Sequence, residues 1–570
     1  MNNTLLLQQF DLLATAPGGV AKLRELILTL AVQGKLVPQD PADEPASELL
    51  KRIRAEKDRL IAAGKIKRDK PLAAIGEDEQ PFGLPVGWVY CRLGTLVLSI
   101  RSGGTPSKQN PAFWGGDIPW ASVKDLRFGE PVSDTQDRIT QAGLCAGSEL
   151  APAGSILICT RMGLGKIGEA LIDVAINQDL KAVSLGAGID KQYFINYFKT
   201  LAVVGSGMTV AGIKQEELLG FVVPLPPETE QTRIVARVEE LMRVCDALEA
   251  KGQQQAAHHT QLVSALLGSL TASAAPEEQA DDLPTRWQRV AQHFDTLLDR
   301  PEAIDALEQT ILQLAVRGQL VPQDPNDEPA SELLERVKRR YVGNQGKKRS
   351  PNEDESPGPP YDLPKSWTWA RLGDLTENMG SGWSPACDEG ERADPGQWAV
   401  LRTTAVQIDE FRAYEHKLLP SKLTPRPEIE VKDGDILITR AGPMNRVGIS
   451  CWVDKPPPRL MLSDKIVRFH PTADEFLPSF FVLALNAGWT KDQLESAKSG
   501  MAASQVNISQ NEMKGLWIPV CANAEQTRIV ARVAHLRRLC ADLRQRLTQS
   551  QTTQAALAEA LAANAISGVC

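Results

Sequence analysis

The sequence predicts an α+β protein in which two mixed α/β domains are separated by long helices. The first observation behind this prediction is a repeat: residues 23–54 return as residues 307–338, with identical amino acids at 22 of the 32 aligned positions. The second is the segment EQTRIVARV, which occurs unchanged at residues 230–238 and 525–533. Such a repeat must be recognised before any segment is interpreted, and here it identifies a tandem internal duplication.

The two halves match at their ends and differ in their middles. A looser echo relates residues 84–96 to residues 363–375. The offset between equivalent residues is 279 at this echo and 295 at EQTRIVARV, so the middle of the second half is 16 residues longer. A chain of 570 residues also exceeds what one hydrophobic core organises, which favours several domains.

Each half begins with a helical module. In the first half Leu23, Ile27 and Leu30 recur at helical spacing, and Gly34 is predicted to end the helix. The connector GKLVPQDP is predicted to be extended and to lead into a second helix.

The second helix of the module is predicted to begin around residues 43–45, with Asp43 as a candidate cap followed by an early proline. Its counterpart is predicted to begin around residues 327–329. Charged linkers follow at residues 64–82 and 343–361, and the second of these is rich in proline and glycine and is predicted to be a mobile tether.

The middle of each half is predicted to be a mixed α/β domain, because short β-rich runs alternate with glycine turns and one apolar helix. The predicted strands include residues 155–159, 182–185 and 221–223 in the first copy and residues 435–439, 465–469 and 516–518 in the second. The predicted helices are residues 192–200 and 479–486.

A long helix closes each half, and its apolar residues step by four and three, which is the pattern of a coiled-coil seam. Isolated heptads this short are marginal, so the two helices are predicted to pair with each other. About 35 residues of helix would span roughly 50 Å. The two cysteines of the seam are interpreted as small buried apolar residues. The seam residues are Ile234, Val238, Leu241, Cys245, Leu248, Ile529, Val533, Leu536, Cys540 and Leu543.

Composition excludes several classes of protein. The net charge of −8 argues against a general polyanion binder. No apolar run is long enough to cross a membrane, and the N-terminus lacks the basic segment of a signal peptide. The nine scattered cysteines form no CxxC pair, which predicts a reduced cytoplasmic protein without disulfides or a metal site.

Several of these segments resemble one known family. The residues that carry the resemblance are RSGGTP at residues 101–106, FWGGDIPWASVKDL at residues 113–126, and EQTRIVARV at the start of each long helix. Together with AVQGKLVPQD and its repeat AVRGQLVPQD, they resemble the DNA-specificity subunit of type I restriction–modification systems, over nearly the whole chain. The second variable domain departs from this pattern, because residues 380–385 read GSGWSP and no FWGGDIPW block follows.

The resemblance implies two target-recognition domains that each read one half of a bipartite, asymmetric site in double-stranded DNA. It implies an antiparallel helical spacer with pseudo-two-fold symmetry, on which two methyltransferase (modification) subunits dock. These subunits are expected to carry out the adenine methylation that this chain directs. Restriction/translocase subunits are expected to join the complex. No cofactor of its own is expected for this chain, whereas S-adenosylmethionine, ATP and Mg are expected on the partner subunits.

The predicted domain boundaries follow from the repeat and the resemblance. They are residues 1–83 for the N-terminal helical module and linker, 84–227 for the first recognition domain, 228–270 for the central long helix, 271–362 for the linker and second helical module, 363–522 for the second recognition domain, and 523–570 for the C-terminal long helix.

Two kinds of loop are candidates for DNA contact. In each half a predicted strand ends in Thr-Arg, followed by glycine and a second basic residue; arginine can bind guanine bidentately, and glycine allows a phosphate to approach the backbone. The segment at residues 101–108 combines glycines, hydroxyls and cations, which suits phosphate contacts. The alternative is a surface loop with solvated charges. The predicted DNA-binding residues are Arg101, Ser102, Gly103, Gly104, Thr105, Lys108, Lys124, Thr160, Arg161, Lys166, Ser381, Arg402, Thr439, Arg440, Asn445 and Arg446.

Neither variable domain is basic as a whole. Residues 84–226 hold 12 Lys/Arg against 12 Asp/Glu, and residues 363–522 hold 18 against 20. Because affinity for DNA depends on neutralising phosphates, the isolated chain is predicted to bind DNA weakly.

Trp114 and Trp120 are predicted to pack in the protein interior rather than to bind DNA. The ten seam residues are the predicted spacer and partner-docking set.

Three alternatives remain open. Residues 163–168 fit G-x-G-x-x-G, but no helix is predicted to follow and the second half lacks the motif, so a glycine loop between strands is favoured over a nucleotide site. No catalytic motif is recognised, which predicts a non-catalytic subunit. A coiled-coil scaffold that does not read DNA, and an orphan subunit that serves modification only, are the other hypotheses.

Overall fold

The structure is a computed structural model that describes residues 10–66, 68, 70–201, 203, 212–272, 282–342 and 359–567. Residues 343–358 of the predicted tether lie outside this part of the chain. The chain divides into two compact units. The first unit comprises Met1–Gln255 with Gln551–Cys570, and the second comprises Ala256–Ser550.

The helical module of the first unit consists of α1 (Phe10–Thr15), α2 (Gly19–Val32) and α3 (Ala46–Ala62). Gly34 ends α2, as predicted: it adopts a left-handed φ of +68°, and the amide of the next residue bonds back to the carbonyl of Leu30 at 2.9 Å.

The prediction that Asp43 caps α3 is wrong. The residue before α3 is Pro45, and no side chain caps this helix. The carboxylate of Asp43 instead binds Arg233, at the start of the long helix. A cap signature and an ion-pair partner cannot be distinguished locally, because the guanidinium lies 190 positions away in the sequence.

The first α/β domain follows. Its strands and helices are β1 (Val89–Arg92), α4 (Leu93–Leu96), β2 (Val97–Ser102), β3 (Trp114–Ala121), β4 (Asp137–Ile139), α5 (Gln141–Gly147), β5 (Glu149–Ala151), β6 (Ile156–Cys159), β7 (Ile167–Glu169), β8 (Val174–Ile176), β9 (Leu180–Leu185), α6 (Lys191–Lys199), α7 (Gln215–Leu219) and β10 (Val222–Leu225), with 3₁₀ turns at Glu77–Glu79 and Pro111–Phe113.

Two four-stranded sheets form the body of this domain, in the orders β4-β3-β8-β5 and β2-β9-β6-β7, while β1 pairs with β10. Strand β6 is buried on both faces. Because successive side chains of a strand point to opposite faces, Ile156 and Ile158 join the cluster of Phe194 on α6, whereas Leu157 and Cys159 join the cluster around β3 and β8.

Long helix α8 (Glu228–Thr271) leaves β10 directly, and its 44 residues exceed the run of about 35 residues expected from the seam pattern. The second helical module follows in the second unit. It consists of α9 (Leu283–Gln292), α10 (Phe294–Leu297), α11 (Pro301–Val316) and α12 (Ala330–Val342).

The second α/β domain has more and shorter strands. They are β11 (Thr368–Arg371), α13 (Leu372–Leu375), β12 (Thr376–Ser381), β13 (Ala399–Leu401), β14 (Val406–Gln407), β15 (Glu410–Phe411), β16 (His416–Leu418), β17 (Ile436–Thr439), β18 (Ala441–Gly442), β19 (Ser450–Trp452), β20 (Leu460–Met461), β21 (Ile466–Pro471), α14 (Pro478–Leu485), α15 (Gly488–Ser496), β22 (Ser499–Ala502), β23 (Gln505–Asn507), α16 (Gln510–Lys514) and β24 (Trp517–Val520), with 3₁₀ turns at Thr403–Ala405 and Pro427–Ile429.

The second domain repeats the sheet topology of the first. Its order β12-β21-β17-β19 matches β2-β9-β6-β7, its order β16-β13-β20 matches β4-β3-β8, and β11 pairs with β24 as β1 pairs with β10. The parallel pairing of β3 with β8 recurs between β13 and β20. The domain therefore keeps the fold although it lacks the FWGGDIPW block.

Long helix α17 (Asn523–Ser567) has 45 residues and closes the chain. In the first unit Cys245 of α8 shares a hydrophobic cluster with Ala558 of α17. In the second unit Val263 and Leu267 of α8 share a cluster with Cys540 of α17. The early part of each long helix thus meets the late part of the other, which confirms the predicted antiparallel pairing.

The seam does more than join the two long helices. Ile234 and Val238 pack with Leu28 and Ala31 of α2, so the helical module supplies part of the seam's contacts. The prediction that the seam offers a docking surface is wrong for its buried members, since a side chain that is at most 5% exposed cannot meet a partner. The buried members are Ile234, Val238, Cys245, Ile529, Val533 and Cys540, and the half-buried ones are Leu241, Leu248, Leu536 and Leu543.

The two seam cysteines are packing residues, as predicted. Cys245 is 3% exposed and Cys540 is 5% exposed, and burial raises the pKa of both thiols. A thiol that resists ionisation is a poor nucleophile, so neither cysteine is poised for reaction.

Replacing Gly34 with alanine is expected to lower the unfolding midpoint of the chain. A Cβ atom there would lie 2.4 Å from Cγ of Pro85 and 3.0 Å from Cζ2 of Trp88. The left-handed backbone should cost about 1–2 kcal/mol, and the overpacking about 1–3 kcal/mol more, measured by urea denaturation with tryptophan fluorescence. Gly64→Ala is the matched control, because its φ is also +68° and no atom of the described residues lies within 4 Å of its Cβ position. Equal losses in both variants would contradict the packing argument.

Candidate nucleic-acid interface

Each long helix begins at a buried polar junction, formed in the first half by three side chains of the EQTR segment. Glu230 accepts hydrogen bonds from Nε1 of Trp88 at 2.9 Å and from Nε2 of Gln39 at 3.2 Å. The carboxylate is 1% exposed, and this burial raises its pKa. The helix is thereby bonded to the first residues of the α/β domain and to the connector of the helical module.

The next residues of the junction bind two further elements. Gln231 accepts a hydrogen bond at 2.7 Å from the backbone amide of Asp190, the residue that caps α6. Arg233 pairs with Asp43 at 2.5 Å, and this guanidinium holds the pKa of the Asp43 carboxyl below its usual range. Three side chains in one helical turn therefore fix the domain, the connector and α6 relative to the start of α8.

The second half builds the same junction. Glu525 accepts a hydrogen bond from Gln323, Gln526 accepts one at 2.8 Å from the amide of Leu477 at the start of α14, and Arg528 pairs with Asp327 at 2.6 Å. Burial raises the pKa of Glu525 as it does that of Glu230. The glutamate, the glutamine and the arginine of the EQTR segment therefore each have the same type of partner in both halves, which accounts for the recurrence of these three residues.

At the other end of the first domain, the glycine loop at residues 103–104 packs against the chain's own backbone. A Cβ on Gly103 would lie 2.0 Å from the carbonyl oxygen of Ile176, and one on Gly104 would lie 1.9 Å from that of Gly147. Internal packing therefore requires glycine at both positions, and the approach of phosphate to these glycines stays a prediction.

Trp114 and Trp120 pack against each other, as predicted, with ring centroids 5.1 Å apart in an edge-to-face arrangement. Their indole N–H groups donate to the carbonyl of Ser107 at 3.2 Å and to that of Gly104 at 3.3 Å. The tryptophans thus anchor the glycine loop.

Several predicted DNA-contact residues converge on the turn between β8 and β9, at residues 177–179. The hydroxyl of Thr105 donates to Oε1 of Gln178. The backbone of Thr160 bonds to the carbonyl of Asp179 at 2.8 Å, and Nε of Arg161 lies 3.7 Å from the Asp179 carboxylate. The turn itself was not among the segments predicted from sequence, although the strand predicted at residues 182–185 implied a loop just before it.

The motif at residues 163–168 covers the end of the loop that joins β6 to β7 and the first two residues of β7, in an antiparallel hairpin that no helix follows. The preferred prediction of a glycine loop between strands is confirmed, and the helix that a dinucleotide site requires is missing from this described segment. Lys166 donates from Nζ to the carbonyl of Val123 at 3.0 Å, so this lysine braces a neighbouring loop.

In the second domain the same braces recur with different side chains. Arg446 donates to the carbonyl of Thr403 at 2.9 Å and to that of Val406 at 2.6 Å, which parallels the bond from Lys166 to Val123. The predicted DNA contact by Arg446 is therefore corrected, because its guanidinium is committed to its own loop.

The two Thr-Arg pairs are not structurally equivalent, although the sequence aligns them. The amide of Thr160 bonds to the carbonyl of Asp179 and the amide of Arg440 bonds to that of Lys465, each at 2.8 Å. These backbone hydrogen bonds make Thr160 the structural equivalent of Arg440 rather than of Thr439. A shift of one residue exchanges the two faces of a strand, so the shared dipeptide carried no common function.

The remaining predicted residues of the second domain have distinct surroundings. Ser381 ends β12, opposite Val467. Arg402 donates to the carbonyl of His416 at 3.1 Å and pairs with Glu389, so its charge is partly neutralised. Asn445 is exposed. Next to these elements lies a groove of about 440 Å³, whose polar lining includes Ser384, Arg402, Thr403, Thr404, Glu415, Lys417, Ser463 and Lys465.

Burial decides which predicted contacts stand as candidates. Thr160 is 2% exposed and Thr439 is not exposed at all, so their predicted contact with DNA is wrong. Arg440 is half-buried. The exposed candidates of the first domain are Arg101, which pairs with Glu149 at 3.1 Å, Ser102, which accepts from Lys181 at 2.6 Å, and Lys108, Lys124 and Arg161.

Other kinds of site are not found in the described residues. No group of three or more His, Cys, Asp or Glu side chains could hold a metal ion there. Within the same ranges, no helix combines the length and apolar character needed to span a membrane.

A family model described as the Type I restriction modification DNA specificity domain matches residues 85–258. The type I restriction enzyme EcoEI specificity subunit of Escherichia coli is 40% identical, over 95% of this chain and 93% of that protein. This chain belongs to the family of type I restriction–modification specificity subunits. The resemblance predicted from residues 101–126 and from the repeated segments is thereby confirmed.

A second relative gives this specificity subunit the same assignment. The EcoAI specificity subunit of Escherichia coli is 34% identical, over 96% of this chain and 94% of that protein. A crystal structure of the HsdS subunit from Thermoanaerobacter tengcongensis is 17% identical with a TM-score of 0.36, and covers 86% of this chain and 98% of that one. A TM-score this low adds nothing to the assignment, which rests on the sequence relatives.

Asp43→Asn is expected to destabilise the specificity subunit at pH 7 and to do so less at low pH. Because Arg233 lowers the folded-state pKa of Asp43 below its ordinary 3.8, the pair adds stability above pH 3.8 and loses it as pH falls through the folded-state value. Urea unfolding should show a loss of about 1.5–3 kcal/mol at pH 7, which shrinks at pH 4 and further at pH 3. Asp58→Asn, an exposed change on α3, is the control. A loss that does not vary with pH would contradict this account.

Proposed function

We propose that this specificity subunit reads a bipartite, asymmetric sequence in double-stranded DNA, with one α/β domain on each half-site. The observation that carries the proposal is the contrast between the two domains. Their sheets and backbone bonds are equivalent, yet the polar side chains at the turn ends differ. A shared frame that presents different side chains suits two readers with different targets.

The proposed partners are two methyltransferase subunits, which would carry out adenine methylation, and restriction/translocase subunits. Two equivalent junctions on one chain support two equal docking positions, since pseudo-two-fold symmetry presents the same kind of surface twice. We assign no catalytic role to this chain, and we expect S-adenosylmethionine, ATP and Mg to bind the partner subunits. The domain boundaries predicted from the repeat and a cytoplasmic location belong to the same proposal.

A modification-only subunit is a narrower form of this proposal, which differs only in the absence of a restriction partner. A scaffold that does not read DNA is disfavoured by membership of a specificity-subunit family and by the polar groove of the second domain. Co-purification with a restriction subunit distinguishes the proposed complex from a modification-only subunit.

Co-expression of this chain with its methyltransferase subunit is expected to methylate a split motif with two unlike halves. The measurement is methylome sequencing of a host that lacks other adenine methylation. Exchange of residues 84–226 for the matching segment of another specificity subunit should change one half of the motif and leave the other half as it was. A continuous palindromic motif, or an exchange that leaves the motif unaltered, would contradict the proposal.

The isolated chain is expected to bind its target duplex weakly, and the assembled complex tightly. Neither domain has an excess of cations, with 12 Lys/Arg against 12 Asp/Glu in residues 84–226 and 18 against 20 in residues 363–522. Phosphate neutralisation must then come largely from the partner. Electrophoretic titration at one salt concentration compares the isolated chain with the assembled complex, and a duplex of scrambled sequence serves as the control. Strong specific binding by the isolated chain would contradict the expectation.

A further inference from the structure

We propose that Gln178 and Asp464 are the base-reading residues of the two recognition domains. The inference rests on the proposed DNA-reading function and names the side chains that carry it. Gln178 lies in the turn between β8 and β9, and Asp464 lies in the turn between β20 and β21. Both residues are exposed, and neither was among the contacts predicted from sequence.

Backbone bonds establish that the two residues are equivalent. The amide of Gly104 bonds to the carbonyl of Ile176 at 3.0 Å, and the amide of Trp383 bonds to that of Leu462 at 2.9 Å. Two residues further along, these registers equate Gln178 with Asp464. The following residues, Asp179 and Lys465, accept the equivalent 2.8 Å bonds described above. The turn is thus held at both ends in the same way in both domains.

A hydroxyl orients each of the two side chains. The hydroxyl of Thr105 donates to Oε1 of Gln178, and Ser384 bonds to the carboxylate of Asp464. The Ser384 oxygen also accepts from the amide of Asp464 at 3.2 Å. An exposed side chain held in this way is preorganised, because less rotamer freedom is lost when a ligand binds.

The two side chains differ in what they can recognise. A carboxamide offers a donor and an acceptor side by side, which match N7 and N6 of adenine in the major groove. An ionised carboxylate offers acceptors alone, which match the N4 amino group of cytosine. Gln178 therefore selects adenine in the first half-site, and Asp464 selects cytosine in the second.

The surroundings of each residue fit these assignments. Asp464 is followed by Lys465, which lines the same groove as Arg402 and Lys417. Glu389 pairs with both Arg402 and Lys417 and neutralises part of their charge, and the cationic charge that remains in the groove offsets the repulsion between a carboxylate and the DNA phosphates. At the position of Lys465 the first domain has Asp179, which is paired with Arg161. The neutral Gln178 needs no such cluster of cations.

The test replaces the amide of Gln178 with a carboxylate and the carboxylate of Asp464 with an amide, in the complex of the full chain with its methyltransferase subunit. Gln178→Glu is expected to shift one position of the first half-site from adenine towards cytosine, by about tenfold or more in preference. Asp464→Asn is expected to shift one position of the second half-site from cytosine towards adenine. In each variant the other half-site stays unchanged, and methylome sequencing reads both halves at once.

Thr105→Val tests the positioning of Gln178. It is expected to weaken the preference at the same position of the first half-site while the second half-site keeps its sequence. A variant that merely destabilised the chain would lower methylation at all sites without altering the motif. Glu216→Gln and Asp474→Asn are matched controls, because they exchange exposed carboxylates for amides away from the turns. Both should leave the motif unchanged.

The outcomes separate this inference from the function on which it rests. A wild-type motif that is not bipartite would overturn both. A bipartite wild-type motif that survives Gln178→Glu and Asp464→Asn, or that changes at several positions at once, would overturn the inference alone. Where a variant abolishes methylation, binding of the assembled complex to duplexes with each of the four bases at each half-site position decides: a shift confined to one position supports the inference, and an unchanged preference overturns it.

Discussion

The buried junction at the start of each long helix joins that helix to the connector of the helical module and to its own α/β domain. Glu230 and Glu525 are each 1% exposed, and burial of a carboxylate is costly unless its oxygens are hydrogen-bonded. In the first half Trp88 and Gln39 supply those bonds, and they come from the α/β domain and from the connector of the helical module. A long helix in another direction would leave its buried carboxylate without these hydrogen bonds. The direction of each long helix relative to its own domain is therefore strongly determined.

At the end of each α/β domain that lies away from the junction, the backbone hydrogen bonds are equivalent in the two halves, whereas the side chains differ in charge and in hydrogen-bonding type. Asp179 of one half stands where Lys465 stands in the other, and Thr160 stands where Arg440 stands. Because these bonds use main-chain atoms, the side chains at these positions can change without loss of the fold. A specificity subunit can then acquire a new target while its junctions stay the same.

The fold was largely predictable from the sequence, because its signals are local or repeated. The buried strands β6 and β17 and the apolar helices α6 and α14 lie within two residues of their predicted positions. The candidate contacts were harder to predict. Thr160 and Thr439 looked equivalent because both precede arginine, but the ladder shifts them by one position, and both are buried. Register is set by pairing with a distant strand, which a local motif does not encode.

The duplication, the antiparallel helical spacer and the family were predictable from the amino-acid sequence, since repeats, heptad spacing and motifs can be recognised without coordinates. The roles of the polar residues became visible only in the folded molecule. Asp43 resembled a helix cap and is an ion-pair partner of Arg233, and Arg446 resembled a DNA contact and is a loop brace. In both cases the role of the charged side chain depends on the partner that it contacts in the folded chain, and those partners lie from 40 to 190 positions away in the sequence.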